Sequence, residues 1–182
     1  MSDIKSASIH EAGHIVIAYF VGFPIDEVCV NSQGDGITKI DFGELNAVAT
    51  PLISMDICPQ FHHYLNELNS EPLINLGKRI CMILVAGDLA EDIYKNGKNN
   101  GKITLGVSGI DLSRFEAIGR YLKIDFEEIL KDIYRVLSND IVWNSIIALS
   151  DSIINNENST LDKDEIFNSL SNSKFFDLIE NN

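Results

Sequence analysis

The chain has few of the residues that mark disulfide-rich or nucleic-acid-binding proteins. Among 182 residues there are 3 cysteines, 4 prolines and 1 tryptophan, and 14 lysines and arginines stand against 27 aspartates and glutamates. Cys29, Cys58 and Cys81 are widely spaced and form no CxxC pair. An odd number of isolated cysteines argues against a disulfide framework and predicts reduced, mostly buried thiols in a cytoplasmic protein.

Several kinds of segment are also missing. The formal net charge is −13, so phosphate backbones and anionic lipids would repel the chain, and we expect no nucleic-acid partner. The longest apolar run, residues 80–90, contains Asp88 and is too short to span a membrane. The chain start has no signal-peptide features, and no GxxxxGK[ST] loop is present, so we expect neither secretion nor ATP binding.

What is present begins near residue 10, where His10-Glu11-Ala12-Gly13-His14 forms an HExxH motif in a segment with a helical pattern. Because an α-helix turns once every 3.6 residues, His10 and His14 leave the same face one turn apart. Two imidazoles in this arrangement can hold one zinc ion, and Glu11 beside them can accept a proton from water. The motif predicts a zinc hydrolase, and the alternative is two histidines that only pack a helix.

The remaining pattern predicts a mainly α (α+β) fold with a small hairpin beside the motif helix. We expect a first helix to end near residue 20, strands at 25–30 and 37–42, and a buried central helix over 70–94. Ser2 or Asp3 can cap the first helix and Ser70 the central one. The segment 45–59 is ambiguous, a short helix is expected at 61–68, and residues 95–106 read as a loop.

Beyond residue 106 the pattern predicts a helical bundle. Apolar stripes recur at helical spacing, and Asp125 with Glu128 and Asp162 with Glu165 have the spacing of capping boxes. The polar end, residues 172–182, is expected to fray. We expect one domain over 1–182, with an active-site part at 1–112 and helical support at 113–182.

A catalytic zinc needs a third protein ligand and one open position. The metzincin extension HExxHxxGxxH is excluded, because Ile17 and Phe20 occupy its glycine and histidine positions. Glu91, on the central helix, and Asp111, at a helix start, are the two candidates. Asp111 could instead only cap that helix together with Ser108, and Glu91 could orient a ligand histidine through its free ring nitrogen.

Five segments resemble, in order, the peptidase domain of the FtsH-type ATP-dependent zinc proteases. They are IHEAGHIV at 9–16, PIDEV at 24–28, LVAGDLAED at 84–92, GVSGIDL at 106–112 and TLDKDEI at 160–166. The resemblance implies that His10, His14 and Asp111 are the zinc ligands and that Glu11 is the general base. The chain departs from that family by an extra residue before Asp111, by Asp88 in place of an arginine, and by a longer spacing between the motif and central helices.

The ATPase module and membrane spans of that family are absent from the sequence. We therefore expect an ATP-independent zinc metalloendopeptidase that acts on unfolded polypeptides or peptides, alone, as a homo-oligomer or with a partner protein. By analogy with the family, Thr38, Ile40 and Phe42 are candidate substrate-binding residues on an unpaired strand edge. The alternatives are a catalytically weak or inactive zinc-binding regulatory module derived from such a peptidase, and a zinc hydrolase of a small molecule.

Overall fold

The helices and strands form a mainly helical α+β fold, as the sequence predicts. The structure, a computed structural model, describes residues 4–55, 58, 60–66, 71–98 and 109–180. Its helices are α1 (Ile4–Phe20), α2 (Asn46–Ile53), α3 (Phe61–Asn66), α4 (Glu71–Asn96), α5 (Ile110–Leu122), α6 (Phe126–Leu137), α7 (Asp140–Asn155), α8 (Lys163–Asn172) and α9 (Phe175–Glu180). Its strands are β1 (Ile25–Val30), β2 (Gly36–Ile40) and β3 (Thr160–Asp162).

The strands make a small antiparallel sheet of order β2-β1-β3, which leaves β2 at an edge. The expected hairpin is present, and Asn31 closes it by accepting the N–H groups of Gln33 and Asp35 through its side chain. The second strand ends at Ile40, short of Phe42, because a 3-10 turn follows at Gly43–Leu45. Strand β3 was not predicted, because three residues are too few for a pattern of alternation.

The motif helix α1 and the central helix α4 form the core of the fold. Most residues of α1 and half of those of α4 are buried, and α1 packs against both α4 and α7. Gly13 permits the close crossing of α1 and α4. A Cβ at that position would lie 2.7 Å from the Ala86 carbonyl oxygen and 2.8 Å from the Ala90 Cβ. A glycine inside a helix costs about 1 kcal/mol relative to alanine, and here the space gained allows close helix packing.

The helix ends partly match the prediction. Asp125 caps α6 by accepting the N–H groups of Glu127 and Glu128, and Asp162 and Glu165 form the reciprocal capping box of α8. The expected fraying after residue 172 was wrong, because α9 forms there and buries Phe175 in the core. The proposed caps Ser2, Asp3 and Ser70 lie outside the described residues, as does most of the expected loop at 95–106.

The three cysteines are unpaired, as expected. Only Cys81 is fully buried, and burial raises the pKa of its thiol to about 12, whereas Cys29 and Cys58 are half-buried. Among the described residues, no helix combines the length and the apolar character that crossing a membrane requires.

The crossing of α1 and α4 can be tested by adding a methyl group to Gly13. Alanine normally stabilises a helix relative to glycine, but in Gly13→Ala the new Cβ would meet backbone and side chain of α4 below 3 Å. We expect a loss of about 1–3 kcal/mol in the free energy of unfolding, the usual cost of overpacking, measured by urea denaturation.

Gly119→Ala is the matched control, because Gly119 is also a buried glycine inside a helix. A Cβ there would meet the Ile124 carbonyl oxygen at 3.9 Å and the Phe115 ring at 4.0 Å, which are ordinary contacts. We expect this variant to be at least as stable as the wild type. A Gly13→Ala protein as stable as Gly119→Ala would contradict the close crossing.

Candidate metal centre

The two histidines of the motif converge on one point between α1 and α4. Their Nε2 atoms are 3.0 Å apart. Two nitrogen ligands at about 2.0–2.1 Å from a tetrahedral zinc ion are roughly 3.3 Å apart, so little movement is needed to admit the ion. The i, i+4 spacing of His10 and His14 therefore brings the two imidazoles together, as the sequence predicts.

The position of His14 is determined by α4. Its Nδ1–H donates to the carbonyl oxygen of Ile83 at 2.7 Å, and because a carbonyl can only accept, the proton is on Nδ1. Nε2 thus directs its lone pair into the centre. Gly87 provides the space for both rings, since a Cβ there would lie 2.5 Å from His14 Nε2 and 2.6 Å from His10 Nε2.

Asp111 completes a set of three potential ligands. Its Oδ2 lies 3.4 Å from His14 Nε2, and ligand atoms of His10, His14 and Asp111 all lie within 4.8 Å of one another. Helix α5 begins at Ile110, so Asp111 is its second residue, and the residue before the helix, Gly109, provides no side-chain cap. A capping box from Ser108 would need Asp111 at the third position, and Ser108 lies outside the described residues.

Glu91 lies on the other side of His10. Its Oε2 is 3.6 Å from His10 Nδ1, as is Oδ1 of Asp88, so both carboxylates face the ring nitrogen that points away from His14. The Ser6 hydroxyl donates to Glu91 Oε1 at 2.7 Å, and Lys95 pairs with the same oxygen. His10, Asp88 and Glu91 also lie within metal-binding distance of one another. In this position Glu91 can orient His10 while Asp111 faces the centre.

Glu11 is buried beneath β2, with 6% of its surface exposed. The Thr38 hydroxyl donates to its Oε2 at 2.5 Å. Gly36 makes room for the carboxylate, since a Cβ there would lie 2.3 Å from Glu11 Oε1. Thr38 was predicted to bind substrate, and its contact with Glu11 was missed. Strand alternation indicates that residues 36, 38 and 40 share a face, but it does not indicate that this face rests on α1.

The charges around the centre favour a cation. Burial alone would lower the pKa of His14, but the carboxylates of Asp111 and Glu11 and the Ile83 carbonyl outweigh it and raise that pKa to about 9. Burial would raise the pKa of Asp111, but the hydrogen bond and charge of His14, with smaller effects of His10 and Arg114, leave it lowered. These contacts therefore favour a positive charge at Nε2 of His14, which a second proton provides without a metal and a bound metal ion would provide in its place.

The carboxylates behind His10 differ from each other. The hydrogen bond from His10 lowers the pKa of Glu91 to about 2 against the effect of burial, and Lys95 and Ser6 add to it. Burial raises the pKa of Asp88, the charges of His10 and His14 oppose that rise, and those of Asp111 and Glu91 add to it. The surroundings of Glu91 thus favour its ionised form, whereas burial disfavours the ionised form of Asp88.

An open cleft passes over the centre and has two arms, which both reach Glu11, Gly36, Ile110 and Asp111. The apolar arm has a volume of about 520 Å³, and its walls include Ile40, Phe42, Ile53, Ile83, Leu84 and Arg114. The polar arm has a volume of about 760 Å³, and its walls include Ser6, His10, Asp35, Glu91 and Lys95.

The other two predicted substrate-binding residues are both walls of the apolar arm. Ile40 lies at the end of β2, and Phe42 packs on Phe23 with the ring centroids 5.0 Å apart. Residues 45–69, whose role the sequence left open, contribute Ile53 at the end of α2.

No known protein-family model matches the chain, and no curated protein or solved structure is similar to it. The resemblance to the FtsH-type peptidase domain therefore stays a prediction. Support for a function comes from the geometry of His10, Glu11, His14 and Asp111.

The third ligand can be identified by comparing two carboxylate variants. We expect Asp111→Ala to lose stoichiometric zinc, because it removes a ligand atom that faces the centre. Glu91→Gln should keep one zinc per chain with an affinity lower by about 10- to 100-fold, the usual effect of losing a group that orients a ligand. Competition with a chelating dye measures both affinities. If Asp111→Ala bound zinc with wild-type affinity and Glu91→Gln bound none, Glu91 and not Asp111 would be the third ligand.

Proposed function

We propose that the protein is a zinc-dependent metallopeptidase that hydrolyses peptide bonds in peptides or unfolded polypeptides. The observation that supports this is the convergence of three ligand atoms, from His10, His14 and Asp111, beside the buried carboxylate of Glu11. Among the described residues, three potential ligands lie below an open cleft, as in a catalytic zinc site, whereas structural zinc sites have four ligands and are closed. The same comparison disfavours the alternative of a structural or regulatory zinc module.

The donor set suits zinc. Imidazole nitrogens and a carboxylate oxygen are common zinc ligands, and the proton of His14 on Nδ1 leaves Nε2 available. Zinc held by His10, His14 and Asp111 would act as a Lewis acid that polarises a carbonyl and makes water acidic enough to ionise near neutral pH.

Glu11 has the position of a general base and acid. It accepts a proton from the attacking water and then donates that proton to the nitrogen of the leaving amine. The Thr38 hydroxyl holds one carboxylate oxygen, so that the orientation of Glu11 does not depend on substrate. Its burial between α1 and β2 keeps bulk water from competing for the carboxylate.

Strand β2 provides a place for the substrate backbone. At one end of the hairpin the Asn31 N–H donates to the Asp35 carbonyl, and at the other the Asp41 N–H donates to the Pro24 carbonyl. Because antiparallel strands alternate, the backbone groups of Gly36, Thr38 and Ile40 face away from β1. An extended peptide can add to this edge as a further strand and pass over Glu11.

Replacing Glu11 by glutamine tests the general base directly. Glu11→Gln keeps the shape of the side chain and both histidines, so we expect it to bind zinc as the wild type does and to lose cleavage of casein or a peptide library. Wild-type activity should disappear when zinc is removed by a chelator and return when zinc is added. A Glu11→Gln protein that cleaves at the wild-type rate would exclude Glu11 as the base.

The contact between Thr38 and Glu11 gives a second test. Thr38→Val keeps the volume of the side chain but removes the donor, and we expect kcat to fall by roughly tenfold with unchanged zinc affinity. Thr38→Ser keeps the hydroxyl and should retain most of the activity. Equal kcat values for the valine and serine variants would mean that the hydroxyl does not act through Glu11.

A further inference from the structure

Arg114 is a cation in the wall of the apolar arm. It lies on α5 one turn after Asp111, and its side chain is 33% exposed. Among the described residues that line this arm it is the one lysine or arginine, and the neighbouring walls are Ile53, Ile83 and Leu84. Its place in the wall of this arm was visible only in the structure.

The guanidinium of Arg114 has unused hydrogen-bonding capacity. Its one ion-pair partner among the described residues is Asp111, at 3.5 Å between NH1 and Oδ1, and its buried Nε–H has no hydrogen-bond partner there. A guanidinium carries five N–H donors in a planar fork that matches a carboxylate. The buried Nε–H does not face the arm, so a carboxylate in the arm would bind the other N–H groups of the guanidinium, whose side chain is 33% exposed.

We propose that Arg114 binds the carboxylate at the C-terminus of a peptide, so that the protein releases residues from the carboxyl end rather than cutting only internal bonds. This inference rests on the proposed peptidase function and narrows it. One oxygen of Asp111 lies 3.4 Å from His14 Nε2 and the other lies 3.5 Å from NH1 of Arg114. The guanidinium that would bind the substrate carboxylate is therefore separated from the centre by the side chain of Asp111. One or two residues, at about 3.3–3.6 Å each, bridge such a distance.

The walls favour a terminal carboxylate over the side chain of an internal aspartate or glutamate. A C-terminal apolar residue can place its side chain against Ile53, Ile83 and Leu84 while its carboxylate meets Arg114. An internal acidic residue offers no apolar group for those walls, and the chain continuing beyond it would have to leave the arm.

The position of Arg114 also gives the peptide a direction. The polar arm contains Asp35 and the ion pair of Glu91 with Lys95, whereas the apolar arm contains Arg114. Strand β2 begins at Gly36, beside both arms, and ends at Ile40 in the apolar arm. A peptide added to this edge would therefore place its amino-terminal part over the polar arm and its carboxyl end at Arg114.

The reaction is an ordinary hydrolysis. The oxygen of water bonds to the carbonyl carbon of the scissile peptide, and the C–N bond breaks. Glu11 transfers one proton of the water to the nitrogen of the leaving amine. The other proton of the water leaves the new carboxyl group for solvent, so that the shortened peptide departs as a carboxylate. The released amino acid or dipeptide keeps the carboxylate that Arg114 held.

The test uses three peptides and the zinc-loaded full chain, with products identified by mass spectrometry. The first peptide ends in a phenylalanine with a free carboxylate, the second has the same sequence with a C-terminal amide, and the third is an amide with an internal glutamate. We expect release of C-terminal residues from the first, with a kcat/KM at least about tenfold above the other two, as loss of a charge-assisted hydrogen bond implies. Equal cleavage of the first two, or preferred cleavage next to the glutamate of the third, would overturn the inference.

Variants of Arg114 identify the residue responsible. Arg114→Met should raise KM for the free-carboxylate peptide by about tenfold or more, change KM for the amide peptide much less, and keep stoichiometric zinc. Arg114→Lys should recover part of the loss. Arg120→Met is the matched control, because Arg120 lies on the same helix but is exposed and pairs with Glu116. An equal change in KM for both peptides would point to a structural role instead.

A binding measurement separates this inference from the peptidase proposal. Calorimetry of N-acetyl-phenylalanine and its amide with the Glu11→Gln protein requires no hydrolysis. Tighter binding of the carboxylate than of the amide, lost in Glu11→Gln/Arg114→Met, would support the carboxylate site. It would do so even if the wild type cleaved no peptide or casein, and that absence of cleavage would reject only the peptidase proposal. Cleavage of peptides without any carboxylate preference would retain the peptidase and reject the site.

Discussion

The close crossing of α1 and α4 is the constraint on which the rest of the site depends. Gly13 allows the two helices to touch through backbone, and this contact brings the Ile83 carbonyl and Gly87 against the imidazoles of His10 and His14. The Ile83 carbonyl accepts a hydrogen bond from Nδ1 of His14 and so fixes the orientation of that ring. The absence of a Cβ at Gly87 leaves room for the rings of His10 and His14. Because both features belong to α4, a shift of that helix would alter ligand orientation and space together.

Strand β2 has a structural and a chemical role at the same time. Its inner face covers Glu11 through Gly36 and Thr38, which satisfies a carboxylate that is costly to bury alone. Its outer edge, which lies beside the same carboxylate, pairs with no other strand in the described part of the chain. A substrate that binds this edge would therefore be placed over Glu11 by the strand that also holds Glu11 in position.

The cleft combines several carboxylates with two cations, Lys95 in the polar arm and Arg114 in the apolar arm. Carboxylates gather around the histidines, where Glu91 orients His10 from behind and Asp111 faces the centre. Asp111 also contacts Arg114, so the candidate ligand connects the metal centre with the cation of the apolar arm. The proposed metal binding, substrate direction and specificity therefore all depend on a few side chains of α1, α4 and α5.

The sequence by itself determined the features that depend on local geometry. The helical repeat brought His10 and His14 together, and side-chain capping by Asp162 set the start of α8. Sequence also selected Asp111 and Glu91 as candidates, and the family resemblance favoured Asp111. It could not show that Asp111 approaches Nε2 of His14 while Glu91 approaches Nδ1 of His10. Only the tertiary structure decided that, as it did the contact of Thr38 with Glu11 and the position of Arg114. Those contacts arise from how helices and strands far apart in the chain pack, and no local period encodes that packing.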